Sequence, residues 1–442
     1  MKVEQKQFLC FILIGFGVYM SYYSLVAQAN YWIYYYDAEF TSVVSTAHFI
    51  GELLGCGLTI PLEKRVSYRQ VAVMHMSISS LVIISLVPLG LIKNYWAKTI
   101  ATVAPLLLLG INNCVFSGFS ISLSAQFGSL QTGGVQVGIA VASVLITLVQ
   151  VIVTGSFNAP NGSPRYAMSL IWISVVYWSF TLVFVVLAVI LFLKFVKLLQ
   201  KKETETFKQK WMKTLSNQQM EYTTVNFYTE DPIKQDQIGA KHDSTNQANN
   251  QKQDNQKQEN NENDEEFNKQ DLKQVHLMGA ATCVNCIIQY TLFPLFVLKI
   301  PSSYLKQKGI TQKDWWILGM LSWGCLTDLA GRLLPRARIA RFLTPKVVLW
   351  LCGQRLMFYV LLPLMTLPID KPVINNDYFS AVVLWWLQMS YGMVQTLGVM
   401  RYQNFCHGSK QLTRGGFIVN IWLTLGLGIS GFATLALVFI FK

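Results

Sequence analysis

Charge is what this chain has least of. Only 13% of its 442 residues are Asp, Glu, Lys or Arg, against roughly 25% in soluble domains, while 52% are hydrophobic. That ratio leaves too little polar surface to coat a soluble globule, and excludes one. Reaction motifs are missing as well. There is no H-x-x-x-H pair, nucleophile elbow or phosphate-binding glycine loop, and no apolar run holds two carboxylates. The enzyme class therefore has no support, and nothing calls for a cofactor or a metal. Cysteine is thinly spread: Cys10, Cys56, Cys114, Cys283, Cys286, Cys325, Cys352 and Cys406 lie within or at the ends of apolar runs, where a thiol behaves as a small hydrophobe. The one C-x-x-C, Cys283 and Cys286, has no second pair or His cluster beside it and reads as packing. No cleavable signal peptide is expected, because the first apolar run continues into polar-aromatic sequence without a small-residue cleavage site.

What the chain has in plenty is apolar runs of about 20 residues, the length that crosses a ~30 Å hydrocarbon core. Eleven occur: Phe8–Ala29, Thr41–Leu62, Val71–Ile92, Thr99–Leu123, Gly134–Gly155, Ala167–Leu193, Leu277–Leu298, Trp315–Leu334, Val347–Leu367, Phe379–Val399 and Gly416–Phe441. They predict an all-α polytopic membrane protein in a 6+5 arrangement, whose partners are the lipid bilayer and a small solute rather than nucleic acid.

Residues 201–275 break the pattern. The stretch holds "NQANNQKQDNQKQENNENDEEFNKQ" and almost no large apolar residues after Tyr228, so it is expected to be a disordered loop between bundles 1–200 and 276–442. It carries 11 Lys/Arg against 14 Asp/Glu, or −3, which leaves +16 of the chain's +13 on the membrane part. Positive residues set orientation. Basic connections follow spans two, eight and ten, on the same side as the long loop. The lysine-rich connection after span seven runs the other way. The expected topology puts the N-terminus and the loop in the cytoplasm, the C-terminus outside and the plasma membrane as home. Asn161–Ser163 ("NGS") then faces outward as a candidate glycosylation acceptor.

Polar groups inside the spans carry the function. Asp328 and Arg332 stand four residues apart in span eight and share one helix face. An ionisable group at the bilayer centre costs around 2.5–3.5 kcal/mol on insertion scales, so neither is expected to face lipid. Two roles remain open: Arg332 snorkels to the cytoplasmic end with Asp328 as its partner, or both line a cavity that binds a polar solute. Gln28, Asn112, Asn113, Asn285, Gln289, Gln354, Arg355, Gln388, Gln395 and Asn420 also lie in or near spans. Amides donate and accept, which suits a neutral, multiply hydrogen-bonding solute. Tyr22, Tyr23, Tyr31, Trp32 and Tyr290 could stack on a flat ring. His48 and Glu52, at i,i+4 in span two, are candidates for proton coupling, with a structural pair holding helices as the other reading.

The layout resembles the equilibrative nucleoside transporter family. Its most recognisable motif, D-x-x-G-R, stands here as Asp328, Gly331 and Arg332. "TLFP" at Thr291–Pro294, "TGGVQVGIAVAS" at Thr132–Ser143, "RLMFYVLLPL" from Arg355 and "MSYGMVQTL" from Met389 are similar to the family's spans seven, five, nine and ten, in the right order. The family's Pro-Trp-Asn of span one is replaced by Ser21, Tyr22 and Tyr23, and the Asn three residues before its span-eight Asp by Cys325. The resemblance is to a divergent member, and the Asn/Gln-rich loop suggests a protist source. It implies a fold related to the major facilitator superfamily and transport of nucleosides by alternating access, facilitative or proton-coupled, with nucleobases or another small organic solute as the alternative. It also implies that Asp328 and Arg332 meet the ribose and that Asn113, Gln289, Tyr22 and Val394 are further substrate-binding candidates. Gly134 and Gly331 would serve helix packing.

Overall fold

The computed structural model describes residues 3–37, 40–63, 65–157, 165–190, 192–194, 267–293, 296–304, 313–336, 344–368 and 372–440. The glycosylation tripeptide, Pro294 and most of the 201–275 loop lie outside them. The described residues are helical and hold no strand. The helices are α1 (Val3–Ala27), α2 (Ala29–Tyr35), α3 (Phe40–Glu63), α4 (Tyr68–Gly90), α5 (Tyr95–Ala125) and α6 (Ser129–Phe157), then α7 (Tyr166–Lys194). After the loop come α8 (Lys269–Leu292), α9 (Lys313–Leu333), α10 (Pro345–Gln354), α11 (Phe358–Thr366), α12 (Asp377–Arg401) and α13 (Ser409–Ile440).

Among the described residues each of the eleven apolar runs is largely helical, and three leave the α-helix, span seven doing so after Leu292, where Phe293 is extended. Span one turns at Gln28, between α1 and α2, and span nine passes through a 3-10 turn at Arg355–Met357 between α10 and α11. Nine helices among the described residues are long and apolar enough to cross a membrane. The remaining two, α3 and α12, have 24 and 25 residues and are the ones that carry His48 and Glu52, and Gln388, Ser390 and Gln395. The starts are sequence-specified. Ser67 and Gln70 form a reciprocal capping box at α4, and Asn94 and Asn376 accept from the Ala97 and Phe379 N–H groups at 3.0 Å. Asn268 caps α8 in the same way, accepting from Gln270 N–H at 3.3 Å, so helix begins at Lys269, inside the stretch expected to be loop.

The most extensive helix pairings are α1 with α6, α3 with α5, α8 with α13 and α9 with α12. Counted as spans, the first pairs with the fifth and the second with the fourth. Six spans later the seventh pairs with the eleventh and the eighth with the tenth. The second half repeats the first, as in transporters built from parallel repeats. Backbone contacts repeat in register too. A Cβ on Gly110 of α5 would overlap the His48 carbonyl oxygen, and one on Gly51 of α3 that of Leu107, three residues before Gly110. In the other half a Cβ on Gly392 of α12 would overlap the Asp328 carbonyl oxygen, and one on Gly331 of α9 that of Met389, three residues before Gly392. Small residues let these backbones touch. Gly134 also meets a neighbour closely, with a Cβ there lying 3.1 Å from the Phe8 ring. Around these seams each half buries its own apolar cluster, Met20, Leu86, Leu109 and Ile146 in the first and Ile288, Phe358, Leu362 and Leu384 in the second.

At the outward end expected for α12, the Asp377 carboxylate accepts from Ser303 N–H at 2.7 Å and from the Ser302 and Ser303 hydroxyls at 2.8 and 2.9 Å. Burial pushes this carboxyl up, but the Ser303 N–H and the two hydroxyls outweigh it and hold the group below the usual carboxylate range.

Gly110→Ala is expected to force α3 and α5 apart and to destabilise the protein by about 1–3 kcal/mol. Gly57→Ala on α3, where a Cβ meets nothing within 4 Å, should be neutral or slightly stabilising. Thermal melts followed by size-exclusion chromatography compare the two.

Candidate functional site

The ion pair of α9 lies inside the protein. Arg332 Nε donates to both Asp328 carboxylate oxygens at 3.1 Å, and the two residues are 1% and 5% exposed. The guanidinium then reaches inward to α6, in the other half: Nη1 donates to the Gln136 side-chain oxygen at 2.8 Å and to its carbonyl at 3.3 Å. A snorkelling arginine would run to the membrane interface, so this geometry excludes that role.

Beside the pair is a small cavity of about 20 Å³ between the halves. Its wall is Tyr19 and Tyr23 of α1, Gln136 and Ile139 of α6, Cys286 and Tyr290 of α8, Arg332 of α9, Tyr391 and Gln395 of α12, and Leu423 and Leu427 of α13. That is room for about one water and lies far below the ~300 Å³ at which small-molecule sites begin. A solute larger than a few heavy atoms therefore enters only as the wall moves. Four tyrosines give the wall flat faces with polar rims. The Tyr290 and Tyr391 hydroxyls lie 3.1 Å apart, and Tyr391 sits between two cations, with the Arg332 and Arg355 guanidinium carbons 5.3 and 5.5 Å from its ring centre.

Arg355 is fully buried behind that wall and has no carboxylate partner among the described residues. Its guanidinium donates to the Asn285 side-chain oxygen, to Gln289 Oε1 at 2.9 Å and to the Leu387 carbonyl at 3.3 Å. Gln289 in turn donates to Gln388 at 2.9 Å, and Asn285 to Gln395 at 3.2 Å. The amides of span seven thus tie a buried cation to the cavity wall.

The structure brings together some of the sequence candidates and not others. Arg332 lines the cavity and Asp328 adjoins it. Tyr22 stacks instead on the His48 ring, centroids 4.5 Å apart, and Asn113 Nδ2 lies 3.4 Å from His48 Nε2. Gln289 is engaged by Arg355, and Val394 is packed among Ala281, Val348 and Leu397. None of these four is among the lining residues. His48 Nε2 and Glu52 Oε1 are 3.1 Å apart, both side chains fully buried. The lining residues that sequence reasoning passes over are Tyr19, Gln136 and Tyr391. Gln136 stands out: its oxygen is held by Arg332, which fixes the amide orientation because the other flip would oppose two donors, and its Nε2 is buried without a hydrogen-bond partner. It presents a donor at the cavity.

Comparison with known proteins agrees with this architecture. The structure is similar over 99% of the chain to the E. coli fucose:proton symporter, covering 98% of that chain (TM-score 0.54, 12% identity). It is similar over 98% to the major facilitator superfamily proton:xylose symporter, covering 88% of it (TM-score 0.56, 11% identity). The fold is the one these two transporters share. The family model described as "Nucleoside transporter" matches residues 103–440, and the chain belongs to that family. A search of curated proteins finds no match to the sequence.

Arg332→Gln and Asp328→Asn are each expected to cut uptake at least tenfold per protein at the membrane. Gln136→Leu should cost about tenfold alone and little more in an Arg332→Gln background, since the two side chains act together. Uptake normalised to surface protein tests the cycle.

Proposed function

We propose that the protein carries nucleosides across the membrane by alternating access, the two halves rocking about the central cavity. The observation that carries this reading is the buried Asp328–Arg332 pair beside a cavity walled by tyrosines and amides between two repeated halves. An acid–base pair offers both an acceptor and donors to adjacent hydroxyls, as a ribose requires, and the tyrosine faces offer stacking to a base. A phosphate would call for several cations at one wall, and Arg332 is the one cation lining this cavity. The reading agrees with membership of the nucleoside transporter family. In it Arg332, Gln136 and Gln395 hold polar groups of the solute while Tyr19, Tyr23, Tyr290 and Tyr391 enclose its ring. Asn113, Gln289, Tyr22 and Val394 support the wall from behind. We place the N-terminus and the 201–275 loop in the cytoplasm, the C-terminus outside and the protein at the plasma membrane, on the charge distribution of the connections.

Uptake of labelled uridine or adenosine into vesicles holding the purified protein tests the assignment. Unlabelled nucleosides should compete and the matching monophosphates should not; competition by the monophosphates, or uptake of adenine in place of nucleosides, overturns it. Deleting roughly residues 215–265 should leave uptake nearly intact, because a stretch so poor in large apolar residues contributes no surface to the core.

A further inference from the structure

We infer that His48 and Glu52 form a proton-binding site, the first half's counterpart of Asp328–Arg332, and that Tyr19 links it to the solute cavity so that uptake draws on a proton gradient. This rests on the transport reading above and adds a driving force to it.

The correspondence is positional. Gly110 contacts the backbone at His48 and Gly392 contacts it at Asp328; Gly51 meets the residue three before Gly110, and Gly331 the residue three before Gly392. Superposing those contacts places His48 on Asp328, Gly51 on Gly331 and Glu52 on Arg332. The sequences read H-F-I-G-E and D-L-A-G-R: two ionisable residues at i,i+4, with a helix-seam glycine just before the second. Residues 103–440 match the family model, so the first of these motifs lies outside the matched region, and it is the repeat that relates it to the second.

The two pairs differ in one respect that matters. Arg332 is always charged, so the second-half pair is a fixed element. In the first-half pair both members exchange protons, and imidazole is the side chain that ordinarily titrates between pH 5 and 8. Among the described residues no further charged side chain hydrogen-bonds to the pair. From α1, Tyr19 donates its hydroxyl to Glu52 Oε2 at 3.2 Å and Tyr22 stacks on the imidazole. From α5, Asn113 faces His48. The thiols of Cys114 and, on α3 itself, Cys56 are bonded to each other at 3.7 Å and to Thr59 and Thr424. Tyrosine and cysteine ordinarily titrate near ~10 and ~8.5. His75 of α4 is held elsewhere, by the Gly17 carbonyl at 3.0 Å and by Asn112 at 2.9 Å. His48 Nδ1 and Asn113 Oδ1 are buried without partners, so the imidazole has an unused nitrogen. Tyr19 is also a lining residue of the cavity. Tyr19 therefore joins Glu52 to the cavity wall. No bond forms or breaks in the solute; one proton is taken up on one face of the membrane and released on the other.

The test uses the full-length protein in vesicles. With the outside acidic, the wild type should accumulate labelled uridine above its external concentration, toward the tenfold per pH unit that one-to-one coupling permits. Glu52→Gln and His48→Gln should still exchange labelled for unlabelled uridine but stop at equal concentrations. Tyr19→Phe, which keeps the ring and loses the hydroxyl, should reduce gradient-driven accumulation at least threefold. Wild-type exchange without accumulation, or accumulation by Glu52→Gln equal to wild type, overturns the inference and leaves the nucleoside assignment standing. Absence of nucleoside exchange in the wild type overturns that assignment instead. Potentiometric titration of the purified protein then decides the proton site. Between pH 8.5 and 5 the wild type should bind one proton more than the His48→Gln/Glu52→Gln variant, and equal counts refute the site.

Discussion

The Asp328–Arg332 pair is the interaction on which the rest depends, because each charge offsets the cost of burying the other. Breaking a buried pair by removing one partner costs about 3–5 kcal/mol, and here the pair is wholly enclosed by helices. Its position is set by a backbone contact: Gly392 allows α12 to lie against α9 at the level of Asp328, so a charged pair and a close helix seam occupy the same turn. A side chain at Gly392 would move Asp328 and the Tyr391 wall together. Packing and binding geometry are one constraint here.

Charge balance extends that constraint to the whole centre. Four groups count: Asp328 and Arg332 as a pair, Arg355 without a carboxylate, and Glu52 in the opposite half. Asp328 and Arg332 balance each other, whereas Arg355 has no carboxylate in contact among the described residues. Uncompensated charge is costly in a low-dielectric interior. The amides around Arg355, Asn285 and Gln289, solvate the cation locally, which explains why span seven carries Asn and Gln where apolar residues would suffice for packing.

The fold class was legible from composition, and the ion pair from its spacing, because a charge in an apolar run announces itself before any helix is oriented. The cavity wall was harder. Tyr22, Gln289 and Val394 each stand one residue from a lining residue, Tyr23, Tyr290 and Gln395. One residue is a rotation of about 100°, and helices buried on most sides give little amphipathic pattern to fix that rotation. Tyr19 and Tyr23 share a face at i,i+4, and Tyr22 turns to His48. Gln136 carries no mark in the sequence at all, since a single Gln in a span most often joins helices; only its unpaired nitrogen beside Arg332 distinguishes it.

What joins the two halves is equally informative for motion. Within each half the glycine seams bring backbones into contact, an arrangement that admits little sliding. Between halves, side-chain hydrogen bonds such as Arg332 to Gln136, Ser117 to Asn420 at 3.1 Å, Cys56 to Thr424 and Gln403 to Thr132 at 2.5 Å stand beside ring contacts such as Phe119 with Phe417 and Phe49 with Tyr290. A hydrogen bond between neutral groups nets only about 0.5–1.5 kcal/mol, so a handful can be exchanged for others at little cost. A solute that binds one arrangement a few kcal/mol better than the other is enough to redistribute them. The strongest of these links, Arg332 to Gln136, is also the one at the cavity. On the transport reading proposed above, a solute that takes the Gln136 donor and competes for Arg332 acts on one of the contacts that join the halves, which links binding to rocking through that hydrogen bond.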